Sequence, residues 1–193
     1  MALALVLVTG AGLLWWGTDG LRAFSTEGAR RLSVEENPRL LPAGPLVDHL
    51  GNRIDFPTLA GQRVLVEFIY TRCPTICTTL GESFQQIATA LPAGGDPVLL
   101  SISFDPEHDD QTALRQYAER FRADGHIWRI ARVEDRRDLE PLLRAFGVVA
   151  IPDGFGGFVH NAAIHEVDRG GRLTRLHDYD AGTRVLAEMR TPP

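Results

Sequence analysis

Two side chains in this sequence are suited to chemistry by type and spacing: Cys73 and Cys77, the only cysteines among 193 residues. Four residues apart, they are too close to staple distant parts of a fold together, so they read as a local site. Pro74 suits the first position of a helix, where its missing N–H costs nothing and its fixed φ is already right. That puts Cys73 at the end of a strand-to-helix loop and Cys77 about one turn further on. Side chains four apart on a helix share a face, so the sulfurs are within reach of bridging to each other or of holding one metal ion. Unpaired amides and the dipole of a helix N-terminus stabilise a thiolate, and Arg72 adds positive charge, so the more exposed cysteine is expected to have a lowered pKa. A thiolate is the nucleophile of disulfide exchange and also the soft ligand that selects Cu(I), so redox work and metal carriage both stay open. The plain alternative is a pair of inert buried thiols that start a helix.

A third ligand would tip the balance toward metal. The histidines are His49, His108, His126, His160, His165 and His177, and any one alone is more often a surface or hydrogen-bonded residue than a ligand. His160 ends the Gly-rich stretch IPDGFGGFVHN (151–161), where a strand begins at the end of the domain expected to carry the cysteine loop. His165 lies five residues on along the same predicted strand, and an odd separation sends the two side chains to opposite faces. Loops at strand ends carry sites, which selects His160 over a mid-strand His165. Two thiolates and one imidazole suit a trigonal Cu(I) site or, with a further ligand, one for Cu(II) or zinc. Zinc fits less well, because a structural zinc site uses four protein ligands and no fourth is evident.

The elements that must position these residues follow from periodicity. PLVDHLGNRIDF (45–56), with Gly51-Asn52 at its centre, predicts a β-hairpin. VLVEFIY (64–70) is a nearly continuous β-branched and aromatic run, the pattern of a strand covered on both faces, and leads straight into the cysteines. From Ile76 the apolar positions Leu80, Phe84, Ile87, Ala88 and Leu91 recur at helical spacing until Pro92. VLLSISF (98–104) and IWRIARV (127–133) predict two more strands. Between them a helix capped by Asp109 or Asp110 buries Leu114, Tyr117, Ala118 and Phe121. A helix after Asp135 aligns Leu139, Leu142, Leu143 and Phe146 before Gly147 stops it. AAIHEV and RLTRLH flank the turn 168–171 as a second hairpin, and a short helix over 183–190 closes the chain. Hairpin, βαβαβα, hairpin and helix predict an α/β, thioredoxin-like fold: a central mixed sheet with helices on both faces and an N-terminal β-hairpin extension.

Composition bounds the rest. All twenty basic residues are Arg, the formal net charge is −5, and no basic run occurs, which argues against a nucleic-acid partner. Residues 1–18 carry no charge and end near Trp15 and Trp16, so they are expected to be a membrane anchor or signal segment. Residues 19–43 mix charge, Gly and Pro as a linker does. The globular domain is expected over 44–193. Arg22, Arg30 and Arg31 follow the apolar segment, which by the positive-inside rule favours an inward-facing domain.

VEFIYTRCPTIC (66–77), SISFDPEHDD (101–110) and FVHNAAIHEVDRGGRL (158–173) together resemble the Sco/SenC family of copper-binding assembly factors for cytochrome c oxidase. The resemblance covers nearly everything from Gly44 onward. It implies a thioredoxin-like fold, Cys73, Cys77 and His160 as copper ligands, and Asp105 as an acidic neighbour of the site, though an Asp-Pro that merely opens a loop reads the same. The sequence departs from the family pattern at Thr75, where Asp is common, at Thr78, where Pro is common, and at Val159 and Asn161, where Asp and Ser usually flank the histidine. These changes keep the ligands and remove nearby acidic groups. The implied function is a copper chaperone, a metallochaperone more than an enzyme, that assists assembly of the oxidase's dinuclear copper centre. Its implied partners are the copper-receiving oxidase subunit and another copper chaperone or a thiol reductase. The implied location is the bacterial cytoplasmic membrane, anchored at the N-terminus with the domain facing the periplasm. The competing reading is a thiol-disulfide reductase that uses Cys73 and Cys77 to keep the cysteines of an oxidase subunit or other copper protein reduced. Peroxide reduction ranks last, since C-x-x-x-C is not a peroxidatic arrangement.

Overall fold

The computed structural model describes residues 2–92 and 96–190; Met1 of the apolar segment and the last three residues of the expected domain lie outside them. The chain divides into two compact units, one up to Pro38 and one from Arg39. The first holds helices α1 (Ala2–Gly17) and α2 (Thr26–Glu36). Every side chain of α1 is exposed, and its 16 residues rise about 24 Å against a hydrocarbon core of about 30 Å. Among the described residues no helix is long and apolar enough to cross a membrane.

Helix α2 stands inside the stretch read as linker. Its signals are local: Ser25 caps it by accepting from the Gly28 amide at 3.0 Å, and Glu27 bridges to Arg30 and Arg31. Such a helix has a charged surface and little apolar period, so a search for apolar stripes passes over it. The second unit likewise starts at Arg39, ahead of Gly44, because β1 (Arg39–Leu40) pairs with the sheet edge.

Among the described residues the main sheet has eight strands in the order β1-β10-β9-β4-β5-β6-β2-β3, where β2 is Leu46–Asp48, β3 Arg53–Ile54, β4 Val64–Ile69, β5 Val98–Ser103, β6 Trp128–Val133, β9 Ile164–Val167 and β10 Arg172–His177. Strands β4, β5 and β6 are parallel and the flanking pairs antiparallel. Every residue of β4 and β5 is buried, as expected of strands covered on both sides. On one face α3 (Ile76–Ala90) and α4 (Gln111–Phe121) pack through Phe84 and Phe121 against Trp128. On the other, Phe146 of α5 (Leu139–Phe146) lies edge-on to Phe68 at 5.0 Å. Gly147 ends α5 at φ +66, a conformation that a side chain would strain. Helix α6 (Arg184–Arg190) closes the chain. This is the mixed α/β, thioredoxin-like plan that the periodicity predicts.

The N-terminal hairpin forms around Gly51 at φ +90, and Asp48 holds its loop by accepting from the amides of Leu50 and Asn52 at 2.9 and 2.8 Å. One local reading changes. The Gly-rich stretch 151–161, expected as a loop, folds into a small separate hairpin of β7 (Ala150–Pro152) and β8 (Phe158–His160). Consequently His160 and His165 lie on different strands of different sheets, not on one strand.

Candidate metal centre

Strand β4 delivers the chain to the site, and a buried carboxylate holds the turn that follows. Asp109 accepts from the Thr71 amide at 2.9 Å, from the Thr71 hydroxyl at 2.6 Å and from the Ser103 hydroxyl at 2.5 Å. The Cys73 amide donates back to the Tyr70 carbonyl at 3.1 Å. Helix α3 then starts at Ile76, two residues later than Pro74 would suggest, with Thr75 as its N-cap and no side-chain bond from it. The Cys73 sulfur supplies the missing acceptor: the Cys77 amide donates to it at 3.4 Å. Cys73 therefore lies ahead of the helix and Cys77 in its first turn, both free and both buried.

The two thiols are inequivalent. The Cys77 thiol, donating to Cys73, is the largest influence on the Cys73 pKa; burial opposes it, His160 and the amides of Cys77 and Thr75 add to it, and the net result is a thiol brought down to about 3. That same hydrogen bond, together with burial, pushes the Cys77 thiol far above its ordinary value. One thiolate held by one thiol is the arrangement of a dithiol poised for attack or for ligation. Arg72, expected to lend its charge to the thiolate, pairs instead with Asp105 at 2.8 Å.

Opposite the sulfurs, His160 Nε2 lies 3.7 Å from Cys77 Sγ. The imidazole is walled by Phe104 at 5.1 Å and Tyr70 at 6.5 Å, and Phe158 packs on both of those rings. Its Nδ1 is buried with no hydrogen-bond partner among the described residues, so aromatic packing sets the orientation of the ring. The other histidines are elsewhere: His165 meets the Val66 carbonyl and the rings of Phe68 and Phe146, and His177 lies between Glu166 and Glu188. The structure thus brings Cys73, Cys77 and His160 together from the turn after β4, from α3 and from β8. It places Asp105 one step away, where it joins Arg72 to His108.

As they stand, no group of three or more His, Cys, Asp or Glu side chains among the described residues is arranged to hold a metal ion. The donor set nonetheless fits a soft cation. Two sulfurs and an imidazole are the donor types that Cu(I) would select, and Cys77 Sγ and His160 Nε2 approach to 3.7 Å.

Asp109 was legible only as one of two candidate caps. Asp110 does the capping, accepting from Thr112 and Ala113, which frees Asp109 for the turn; an acidic doublet where one cap suffices was the available signal. Glu67 is a second such residue, the single acid in an otherwise apolar strand. It is fully buried, accepts from the Ser101 hydroxyl, and leaves Oε2 unpartnered among the described residues.

Fold and site together define a thioredoxin-like protein with a buried dithiol at a strand-to-helix junction and an imidazole facing it. The SCO1/SenC family model matches residues 36–190, and the chain belongs to that family. It is 26% identical over 133 residues to the SCO1 protein homolog of Bacillus subtilis, covering 67% of this chain and 68% of that one. It is 31% identical over 131 residues to the mitochondrial SCO1 homolog of Homo sapiens, covering 62% and 41%. The match thus spans about two thirds of the bacterial relative and under half of the human one. Among solved structures, Bradyrhizobium japonicum ScoI with copper bound superposes with a TM-score of 0.64 at 24% identity, covering 78% of this chain and 99% of that one; this likeness supports the fold.

Proposed function

We propose that the protein is a copper chaperone that binds copper as cargo through Cys73, Cys77 and His160 and passes it to the copper-receiving subunit of cytochrome c oxidase. The observation that carries the reading is the 3.7 Å approach of His160 Nε2 to Cys77 Sγ. It turns a dithiol into a two-sulfur, one-nitrogen donor set of the kind soft Cu(I) prefers. Family membership and the copper-bound relative support the choice of copper over other soft ions. In this reading the Cys73 thiolate ligates first and Cys77 follows as its proton leaves. His160, held on the separate β7–β8 hairpin, completes the site. Residues 1–18 serve as the membrane anchor or signal segment, residues 19–43 join it to the copper-binding domain, and the domain faces the periplasm of a bacterial cytoplasmic membrane. Another copper chaperone or a thiol reductase prepares the site for loading.

Anaerobic titration of the reduced chain with Cu(I) against a competing chelator tests the assignment. One equivalent is expected to bind tightly, with binding lost in Cys73→Ala and Cys77→Ala and weakened at least about tenfold in His160→Ala. Unchanged affinity and coordination in His160→Ala would remove His160 from the ligand set.

One feature favours a second reading, a thiol-disulfide reductase for the oxidase subunit or another copper protein: the Cys77 amide donates to the Cys73 sulfur at 3.4 Å, and the pair holds the Cys73 pKa low and the Cys77 pKa high, which leaves Cys73 as the attacking thiolate. Under that reading His160→Ala leaves the exchange rate intact while Cys73→Ala abolishes it.

A further inference from the structure

Beside the cysteine loop, a cavity of about 360 Å³ opens between Thr71-Arg72 and the face of α4. Tyr117 forms part of its lining, and its hydroxyl donates to the Cys77 carbonyl at 3.0 Å, tying the cavity to the turn that carries the second thiol. Two of its side chains are exposed arginines. Arg72 shares Asp105 with His108. Arg120 meets only neutral groups: it donates to the Thr78 hydroxyl at 3.2 Å and lies over the Phe121 ring at 5.0 Å. No carboxylate pairs with it among the described residues.

Arg120 also lines a larger groove of about 880 Å³ running along α3 and α4, with Gln85, Gln86, Thr89 and Arg122. Asp124 is the one carboxylate lining it among the described residues. Its Oδ1 already accepts from the amides of His126, Ile127 and Trp128. Arg120 lines both cavities, so a chain with a formal net charge of −5 presents a trough of two adjoining hollows, the smaller bordered by Thr71-Arg72 and the larger carrying Arg120 and Arg122 against the single carboxylate of Asp124.

We propose that this trough receives an acidic, extended segment of a protein partner, with Arg120 and Arg122 as its anchors, and so seats that partner's cysteine at Cys73. Arginine forks match carboxylates with paired, charge-assisted hydrogen bonds. The groove's one carboxylate, Asp124, is already held by backbone amides, which leaves Arg120 and Arg122 to meet Asp and Glu side chains above the Phe121 and Trp128 rings. The proposal rests on the reading of Cys73 and Cys77 as a reactive dithiol.

The test uses the reduced full chain and two synthetic peptides of equal length. Each carries one cysteine capped as a mixed disulfide with cysteamine, flanked in one by glutamates and in the other by lysines. Cys73 sulfur attacks the peptide sulfur and releases cysteamine. Cys77 then loses its proton to solvent and attacks Cys73, releasing the peptide as a thiolate that takes up a proton. The protein dithiol is oxidised by two electrons to a disulfide, and the capped disulfide is reduced to two thiols. At low salt the acidic peptide is expected to react about tenfold faster than the basic one. Arg120→Gln and Arg122→Gln are each expected to erase much of that gap by slowing the acidic peptide and speeding the basic one, Arg120→Lys to restore part of it, and high salt to close it in the wild type. Equal rates for the two peptides, or equal losses on both in the variants, would overturn the trough. If neither peptide reacts with the wild type, the dithiol reading fails instead. The acidic peptide with serine in place of its cysteine then decides the trough separately: saturable binding that Arg120→Gln abolishes supports it, and absence of binding overturns it.

Discussion

Cys77 acts on Cys73 twice, through its amide at 3.4 Å and through its thiol. The first fixes where the sulfur sits and the second fixes its charge. Removing the thiol alone separates the two effects, because an alanine keeps the amide. In Cys77→Ala the Cys73 pKa is expected to rise, since the largest influence lowering it is gone. Alkylation of Cys73 by iodoacetamide should stay fast in the wild type from pH 8 down to about pH 5 and fall across that range in Cys77→Ala. Coincident pH profiles would mean that the helix terminus and His160, not Cys77, hold the thiolate. Asp109 works in the same spirit at longer range, clamping Thr71 two residues ahead of Cys73 with bonds to both backbone and side chain.

Two elements decide how well the site is formed. The β7–β8 hairpin carries His160, and Asn161 pins its base: the side chain accepts from the Val149 amide at 2.7 Å and donates to the Gly147 carbonyl at 3.0 Å. Asn161→Ala is expected to cost about 1–2 kcal/mol of stability and to weaken Cu(I) binding beyond that, because the hairpin then presents His160 in more than one position. A chelator competition beside a urea melt separates the two losses. Helix α3 makes the other demand. A Cβ on Gly81 would sit 2.8 Å from the Phe121 ring of α4, so the two helices approach over a bare backbone. Gly81→Ala gains helix propensity yet is expected to destabilise the protein by about 1–3 kcal/mol, read from its urea midpoint, since a packed ring must move.

For the molecule as a whole, Glu67 sets a pH dependence from the middle of the core. Burial raises its pKa to about 8, and the hydrogen bond from Ser101 only partly offsets this. The folded protein therefore keeps this proton to about pH 8, while the unfolded chain releases it near 4.5. Between those values the native state binds more protons, so the stability associated with this group is full below pH 4.5 and declines as pH rises toward 8. Glu67→Gln is expected to remove that decline, and the difference between wild-type and variant urea midpoints should grow from pH 5 to pH 8. A constant difference would show that Glu67 carries the same charge in the folded and unfolded chains across this range.

The apolar runs at 64–70 and 98–104, the helical stripe from Ile76 and the stop at Gly147 determine the sheet and helix order by themselves, because burial on two faces or one leaves a period in the chain. The dithiol was legible for the same reason: its spacing is local, and the strand-to-helix junction is written on either side of it. What lay beyond sequence reasoning was everything settled by contact between distant segments. The pairing of Arg72 with Asp105, the clamp of Asp109 on Thr71, the placing of His160 on its own hairpin and the bare seat of Gly81 under Phe121 each join residues far apart in the chain. Such partners leave no periodic trace. The helix at 26–36 escaped for the opposite reason, being built from caps and ion pairs instead of an apolar stripe. Cys73 and Cys77 thus announce a reactive pair from sequence alone, while tertiary structure decides which sulfur carries the charge, which imidazole faces it and which arginines border it.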